Sequence, residues 1–304
     1  MTPDTIVNDF RDALLGAGLT PPDHIEADGK VHRFSTNGKR SDAAGWYCLH
    51  LDGLPAGIFG DWRQGLTVTW CSKSDEAMTP AERAAMRETI RALLVQRQAD
   101  QQRRQEQAKA SAMQAWEAAG DCTGHPYLQR KGVHGYGLRQ YGGLLMIPLR
   151  DTSGTLHSIQ TITPDGDKRF QAGGRVRGCY HAIGKPAGVI VVCEGYATGA
   201  SIHEVTGHAV AVAFNAGNLQ AVAQALHRRH PDLQIIVAAD DDHATPGNPG
   251  MEQAQQAALS VGGTVAVPLF HAGRPAGATD FNDLHQLQGL AAVKAAFDEL
   301  EDCP

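Results

Sequence analysis

The last third of the chain alternates between short apolar runs and longer amphipathic segments. Each apolar run is a continuous stretch of aliphatic residues, without the polar positions of a half-buried strand. Continuous apolar strands are typical of parallel sheets that helices cover on both faces. We therefore predict an α/β domain over residues 187–304, with a parallel sheet and the order βαβαβαβ. The predicted strands lie in the runs GVIVVCEG, HAVAVAF, LQIIVAAD and TVAVPLF.

Residues 1–78 show a different pattern. An amphipathic stretch from Ile6 to Leu15 precedes four patches of alternating character, which are separated by Gly, Asn, Pro and Asp. Alternation between turn residues is typical of a small antiparallel sheet. We predict a mostly β module, which is also the aromatic-rich part of the chain. Its aromatic residues include Trp46, Tyr47, Phe59, Trp62 and Trp70.

A long connecting helix is predicted over residues 79–119. Thr79 is a good N-cap, Pro80 suits the first helical position, and Glu82 completes a capping box. The second half of this segment is too polar for a core helix, so we expect a solvated connector between domains. The alternative is that its arginines contact nucleic acid, namely Arg97, Arg103 and Arg104.

Residues 120–186 mix short strands and turns, and we predict a small α+β module dominated by strands. Residues 120–185 hold nine Lys and Arg against four Asp and Glu, whereas residues 186–304 hold four against thirteen. A basic surface that holds phosphate, beside an acidic pocket that holds metal, would give this distribution. The short patches of this module are HPYLQRKGV, LLMIPLRD, LHSIQTIT, KRFQAGG and RGCYHAIG.

Acidic residues follow the predicted strands of the C-terminal domain. Because the carboxyl ends of parallel strands meet at one edge of a sheet, these acids should gather there. Clustered carboxylates repel one another unless cations neutralise them, and oxygen ligands select hard ions such as Mg²⁺ or Mn²⁺. For a single acid the alternative is a helix or turn cap. The candidate acids are Glu194, Asp240, Asp242, Asp280 and Asp283.

Other features of the sequence exclude several kinds of protein. The six cysteines include no two within four residues of each other, so we expect no zinc site. The amino terminus has acids among its apolar residues and no basic leader, so we expect no signal peptide. No apolar run approaches the ~18 residues that a membrane span needs. We therefore expect a cytoplasmic protein.

Several motifs carry a resemblance to a known family. VIVVCEGYATGAS (189–201), IIVAADDD (235–242) and ATDFNDL (278–284) resemble the motifs of the Toprim domain. Upstream, HPYLQRKGV, LLMIPLRDTSG, GDKRFQAGG and RGCYHAIG are similar to the amino-terminal half of the catalytic core in plasmid and phage DNA primases of the TraC type. The resemblance covers nearly the whole chain and is strongest over residues 121–285.

The resemblance implies a primase that makes short RNA primers on single-stranded DNA by metal-dependent nucleotidyl transfer. Glu194 would match the Toprim glutamate, Asp240 and Asp242 the metal pair, and Asp280 a further metal ligand. The partners implied are a single-stranded DNA template and nucleoside triphosphates. Residues implied to bind the nucleotide or the DNA are Lys168, Arg169, Arg175, Arg177 and Asp283.

Two other functions remain open at this point. A Toprim nuclease would use the same metals on phosphodiesters, but the basic upstream module favours a primase. A catalytically weak accessory protein that binds single-stranded DNA would also fit the aromatic residues of the first module. The sequence has no G-x-x-x-x-G-K-[ST] motif, so any unwinding would come from a partner such as a helicase or replication initiator.

Overall fold

A computed structural model describes residues 2–36, 38, 42–61, 65–73 and 78–301 of the chain. Trp62, one of the aromatic residues of the predicted first module, lies outside the described residues. The chain forms two compact units, Met1–Arg103 and Arg104–Pro304, which we describe separately. The finer division into four parts stays a prediction.

The first unit contains a helix and a four-stranded antiparallel sheet in the order β1-β2-β3-β4. The alternating patches of the sequence therefore form the sheet that they predict. Its elements are α1 (Pro3–Gly16), β1 (His32–Phe34), β2 (Gly45–His50), β3 (Ala56–Asp61) and β4 (Leu66–Cys71).

Helix α1 packs on one face of this sheet, where Phe10 contacts Tyr47 and Phe59 edge-on. The other face carries Trp46 and Ile58 and packs against the next helix, α2 (Pro80–Ala118). Covered faces on both sides explain why the two central strands are buried along nearly their whole length.

Helix α2 begins where the capping box predicts. The Glu82 backbone N–H donates to Oγ1 of Thr79 at 3.2 Å, and the Thr79 N–H donates to the Glu82 carboxylate at 2.8 Å. The boundary between the two units falls inside α2, after Arg103. Its last turns bury Ala108 and Ala112 in the second unit.

The first sheet of the second unit is antiparallel, in the order β5-β6-β7-β8-β9. Strand β7 is a continuous apolar run because both of its faces are covered. Leu145 and Ile147 face the C-terminal domain, and Met146 faces Ala112 of α2. The elements are β5 (Gly120–Asp121), α3 (Pro126–Lys131), β6 (Arg139–Tyr141), β7 (Leu144–Arg150), β8 (Leu156–Ile162) and β9 (Lys168–Phe170).

One patch that we grouped with the strands and turns of this module is a helix. In α3, Nδ1 of His125 accepts the Tyr127 N–H at 3.2 Å, and Pro126 holds the first helical position. Gly132 ends the helix with φ 61°, a backbone conformation that favours glycine. Because both ends are capped, a helix of only six residues can form here.

The C-terminal domain has a five-stranded sheet in the order β10-β12-β11-β13-β14. Strands β11 to β14 are parallel, as the sequence predicts. Strand β10 adds an antiparallel edge that the sequence did not indicate, because its three residues lie in the preceding module. The elements are β10 (His181–Ile183), β11 (Val189–Cys193), α4 (Tyr196–Thr206), β12 (Ala209–Val212), α5 (Ala216–Arg229), β13 (Gln234–Ala238), α6 (Pro249–Leu259), β14 (Thr264–Ala266), α7 (Phe281–Gln288) and α8 (Leu290–Glu301).

Helices cover both faces of this sheet. Helices α5 and α6 pack on one face, and α4, α7 and α8 pack on the other. The chain leaves β11 for β12 on one side and then crosses to β13 on the other side. The strand order therefore reverses beside β11, which is where α/β sheets of this type bind ligands. Among the described residues, no helix is both long and apolar enough to cross a membrane.

Candidate active site

Glu194 directly follows β11, the strand at the centre of the sheet. Its backbone carbonyl accepts the Phe214 N–H at 2.8 Å, which ties the end of β11 to the end of β12. Burial raises the pKa of its carboxyl, and the negative charge of Asp242 adds to that effect. Lys168 and the Ala216 N–H act in the opposite direction. Glu194 is therefore a half-buried acid that faces other acids and one lysine.

Asp240 and Asp242 follow β13, the neighbour of β11. Burial, together with charge repulsion from Asp280, Glu194, Asp242 and Asp283, raises the pKa of Asp240 to about 8. Its Oδ1 atom is buried and has no hydrogen-bond partner. A buried carboxylate oxygen without a partner is costly in free energy unless a cation or proton satisfies it.

The loop after β13 is held close to the next helix. The Gly250 N–H of α6 donates to Oδ2 of Asp242 at 3.2 Å. A Cβ atom at position 250 would lie 2.5 Å from the Asp240 carbonyl oxygen and 2.9 Å from Oδ2 of Asp242. Only glycine fits at this position without displacing the acid loop.

Asp241, between the two candidate ligands, faces another way. Its carboxylate pairs with Arg274 at 2.7 Å and accepts the side-chain amide of Asn248 at 2.6 Å. Its backbone N–H donates to the Thr279 carbonyl oxygen at 2.8 Å, which brings the segment before α7 beside the acid loop. Asp241 therefore joins two loops and is not part of the acid cluster.

Asp280 and Asp283 form the capping box of α7. The Asp283 N–H donates to Oδ1 of Asp280 at 2.8 Å, and the Asp280 N–H donates to Oδ2 of Asp283 at 3.4 Å. Oδ2 of Asp283 also accepts the Thr279 N–H at 2.9 Å. Burial raises the pKa of Asp280, with a further contribution from the Asp283 charge. From the sequence, the alternative to a metal ligand was an acid that caps a helix. Asp280 caps α7 and also lies in the acid cluster, so both features occur at this residue.

The donor set of the cluster fits a hard divalent cation. It offers carboxylate oxygens from the ends of two adjacent strands and from α7, and the buried Oδ1 atom of Asp240 has no other partner. These ligand atoms are more widely spaced than in a closed metal site. Among the described residues, only Glu26, Asp28 and His32 of the first unit place three such atoms within 4.8 Å of one another.

A basic pocket of about 380 Å³ lies next to the acids. Its Lys131 Nζ is 3.8 Å from Oδ1 of Asp283, and the charge of its Lys168 acts on Glu194. The Tyr127 hydroxyl in the wall is buried and has no hydrogen-bond partner. The residues that give the pocket its character are Tyr127, Arg130, Lys131, Lys168 and Asp165.

Tyr127 also links the pocket to the acids electrostatically. Burial and the Asp280 charge together raise the pKa of its phenol to about 12, and the Arg130 charge partly opposes them. The sequence did not single out Tyr127, Arg130 or Lys131 as site residues. The available signal was the patch HPYLQRKGV, which carries part of the family resemblance.

The predicted basic residues take different positions. Lys168 lies opposite Ile162 in the β8–β9 ladder, on the face that turns toward the C-terminal domain. Arg169 lies on the opposite face, because successive side chains alternate along a strand. Arg175 donates through Nε to the carbonyl oxygen of Arg177 at 3.1 Å, within their own loop. Of the four, the structure brings Lys168 into the pocket, and the roles of the others stay predictions.

The C-terminal domain is similar to a known family of domains. The profile of the Toprim domain matches residues 189–291. The chain is 41% identical over 287 residues to a DNA primase TraC from Escherichia coli, which covers 88% of this chain and 27% of the relative. A second DNA primase TraC from Escherichia coli is 38% identical over 284 residues, covering 86% of this chain and 19% of the relative.

The chain thus spans about a quarter or less of the length of these two relatives. Among solved structures, the DnaG primase catalytic domain bound to ssDNA aligns with a TM-score of 0.44 and 13% identity, over 64% of this chain and 79% of that chain. Residues 189–291 match the Toprim domain, in a chain that is similar over most of its length to part of the TraC DNA primases.

Proposed function

We propose that the chain is the catalytic part of a DNA primase, which makes short RNA primers on single-stranded DNA. The observation that carries the proposal is the acid cluster at the point where the strand order reverses, next to a basic pocket of about 380 Å³. Acids that hold divalent cations beside groups that hold phosphate are what nucleotidyl transfer requires. The similarity to TraC primases over 88% of the chain supports the same activity.

Asp240, Asp242, Glu194 and Asp280 would hold Mg²⁺ or Mn²⁺. When bound, these ions would neutralise the triphosphate and help to ionise the attacking 3′-hydroxyl. The chain's own carboxylates orient the site, since their positions are fixed by two strand ends and one helix cap. Glu194, with its pKa raised by burial, is also placed to accept a proton.

The basic pocket would hold the phosphates of the incoming nucleotide. Arg130, Lys131 and Lys168 supply the positive charge, and the free Tyr127 hydroxyl supplies a hydrogen-bond donor. Asp283 would act beside the nucleotide through its contact with Lys131. Arg169, Arg175 and Arg177 are proposed to contact template phosphates on the outer surface of the module, which would make binding strongly dependent on salt.

The partners proposed are a single-stranded DNA template, nucleoside triphosphates, and a helicase or replication initiator encoded on the same plasmid, phage or other mobile element. The site of action would be the cytoplasm, where template and nucleotides occur together. The relatives, both named DNA primases and from Escherichia coli, support this proposal.

A labelled-nucleotide assay tests the proposed function. The full chain is incubated with single-stranded DNA, labelled ribonucleotides and Mg²⁺ or Mn²⁺, and the products are separated by length. Short labelled products that require the template and the metal are expected. Shortening of an end-labelled DNA without new product would indicate a nuclease. Binding of DNA without either reaction would indicate an accessory protein, and both of these results would contradict the proposal.

A further inference from the structure

Phe170 is an exposed aromatic residue beside the active site. It is the last residue of β9, an edge strand whose three side chains are all exposed, and 39% of its surface is open to solvent. Phe170 pairs with Gln160 in the ladder, so it lies on the same face as Lys168, two residues earlier. That face turns toward the Toprim domain and its acids.

Phe214 supports Phe170 from the Toprim domain. The two rings meet edge-to-face, with centroids 5.9 Å apart and an interplanar angle of 73°. Phe214 is 9% exposed, so most of its ring is covered while that of Phe170 is open. Phe214 is therefore the buried ring of the pair, and Phe170 is the ring that solvent can reach.

The backbone of Phe214 is strained and is fixed next to Glu194. Its φ is 72°, in the left-handed region that a bulky side chain rarely adopts. Its N–H donates to the Glu194 carbonyl oxygen at 2.8 Å, and the Ala213 N–H donates to the Cys193 carbonyl oxygen at 2.8 Å. Strained residues of this kind persist where the surrounding structure holds them, and they cluster at functional sites. The strained backbone of Phe214 is thus held directly beside that of Glu194.

We infer that Phe170, supported by Phe214, is a stacking surface for a nucleobase at the active site. The inference rests on the proposed function and deepens it by naming a group that contacts the substrate. An exposed ring with a cation two residues away on the same face matches a nucleotide unit, in which a flat base is joined to a phosphate. Stacking of bases on aromatic side chains is a common mode of single-strand binding and tolerates different sequences.

Binding measurements test the inference without requiring synthesis. The full chain is titrated with a labelled single-stranded oligonucleotide and with an abasic strand of the same length. Phe170→Leu keeps an apolar side chain against Phe214 but has no π face, so we expect the dissociation constant for the normal strand to rise about 5-fold or more. The abasic strand should bind the variant and the native protein equally. Phe170→Trp should restore normal binding.

A second arm identifies the source of the base. A fluorescent nucleoside triphosphate is titrated in the presence of Mg²⁺, with native protein and Phe170→Leu. A weakened affinity for the oligonucleotide indicates a template base, and a weakened affinity for the triphosphate indicates the base of the incoming nucleotide. Tyr141→Ala is the matched control, because Tyr141 is an exposed aromatic residue in the same sheet (61% exposed) and should change neither.

The inference is overturned if Phe170→Leu binds both ligands as tightly as the native protein does. It is also overturned if the substitution lowers the affinity for the abasic strand as much as the affinity for the normal strand. The proposed function fails separately, through absence of primer synthesis by the native protein. A chain that makes no primer but loses base-dependent binding in Phe170→Leu would keep the stacking surface and lose the primase activity.

Discussion

Three consecutive aspartates after β13 have three different environments. Asp240 has a buried oxygen without a partner, Asp241 is ion-paired with Arg274, and Asp242 accepts a backbone N–H from α6. Asp240 is therefore a candidate metal ligand, Asp241 connects two loops, and Asp242 is a second candidate ligand that a helix N–H holds in position. The difference comes from the neighbours of each carboxylate and not from the aspartates themselves.

Gly250→Ala should disturb the acid loop. The new Cβ atom would lie 2.5 Å from the Asp240 carbonyl oxygen, so the loop must shift. We expect the free energy of unfolding to fall by about 1–3 kcal/mol and metal-dependent primer synthesis to be strongly reduced. Urea denaturation and the labelled-nucleotide assay measure these two effects.

Gly217→Ala is the matched control for this change. A Cβ atom there meets only Oδ1 of Asn215, at an ordinary contact distance of 3.5 Å. It should leave stability and synthesis close to those of the native chain. Equal effects of the two substitutions would contradict the role given to Gly250.

His181 should make stability depend on pH. Burial lowers the pKa of its imidazole to about 4, from a usual value of 6.5, and the Tyr136 carbonyl contact only partly opposes this. Between pH 6.5 and 4 the unfolded chain binds a proton that the folded chain does not, so stability falls as the pH falls through this range. The loss should be about 3 kcal/mol.

His181→Gln removes this titrating group and tests the pH dependence. The free energy of unfolding is measured in urea at pH 7.5 and at pH 4.5 for both proteins. The loss on going to the lower pH should be smaller in His181→Gln than in the native chain, by about 3 kcal/mol. An identical loss in both proteins would show that other groups cause the acid sensitivity.

The sequence indicated which residues form the acid cluster but not how each is held. Strand ends predicted that Glu194, Asp240 and Asp280 meet, because parallel strands share one edge. The pairing of Asp241 with Arg274 depends on a loop 33 positions away in the chain, which no local pattern encodes. Nor did the sequence mark Tyr127 as a site residue, because its position beside the acids depends on how α3 packs in the folded chain.

At the scale of elements, the apolar runs predicted the four parallel strands correctly. They did not predict the strand order, because each run is a continuous apolar stretch in the sequence and nothing in it marks β14, the partly buried strand, as the edge. The patch RGCYHAIG was predicted among the short strands and turns of residues 120–186. Its place as β10 at the edge of the C-terminal sheet was not predicted, because its position in the chain puts it in the preceding module. Helix α3 was missed because it is too short to show a helical period, although its caps were readable in the sequence.

The start of α7 offers a way to separate two roles of Asp280. Its carboxylate caps the helix, and it also belongs to the acid cluster. Asp280→Ser keeps a capping oxygen and removes the charge, whereas Asp280→Ala removes both. We expect the alanine variant to lose about 1 kcal/mol of stability and the serine variant to lose little, while both lose most of the metal-dependent synthesis.

Thermal unfolding and the labelled-nucleotide assay, applied to the same two proteins, distinguish the roles. If Asp280→Ser synthesised primers at the native rate, Asp280 would be only a helix cap and would not belong to the metal site.

At the scale of the whole chain, charge is distributed unevenly along the sequence. The basic segment 120–185 supplies Arg130, Lys131 and Lys168 to a pocket whose neighbours are the acids of segment 186–304. The sequence predicted this juxtaposition from composition alone. It could not predict that Arg169 lies on the other face of β9, because that depends on the register of the β8–β9 ladder.

The most direct measurement compares Asp240→Asn with Asp241→Asn in template-dependent primer synthesis. The two residues are adjacent, and both substitutions replace a carboxyl group with an amide of nearly the same size. We expect Asp240→Asn to lower the rate of synthesis by more than about 100-fold, beyond the range for residues that only support a ligand. Asp241→Asn, which loses the pair with Arg274, should keep most of the activity. Native-like synthesis by Asp240→Asn, or an equal loss in both variants, would contradict a metal site built on Asp240.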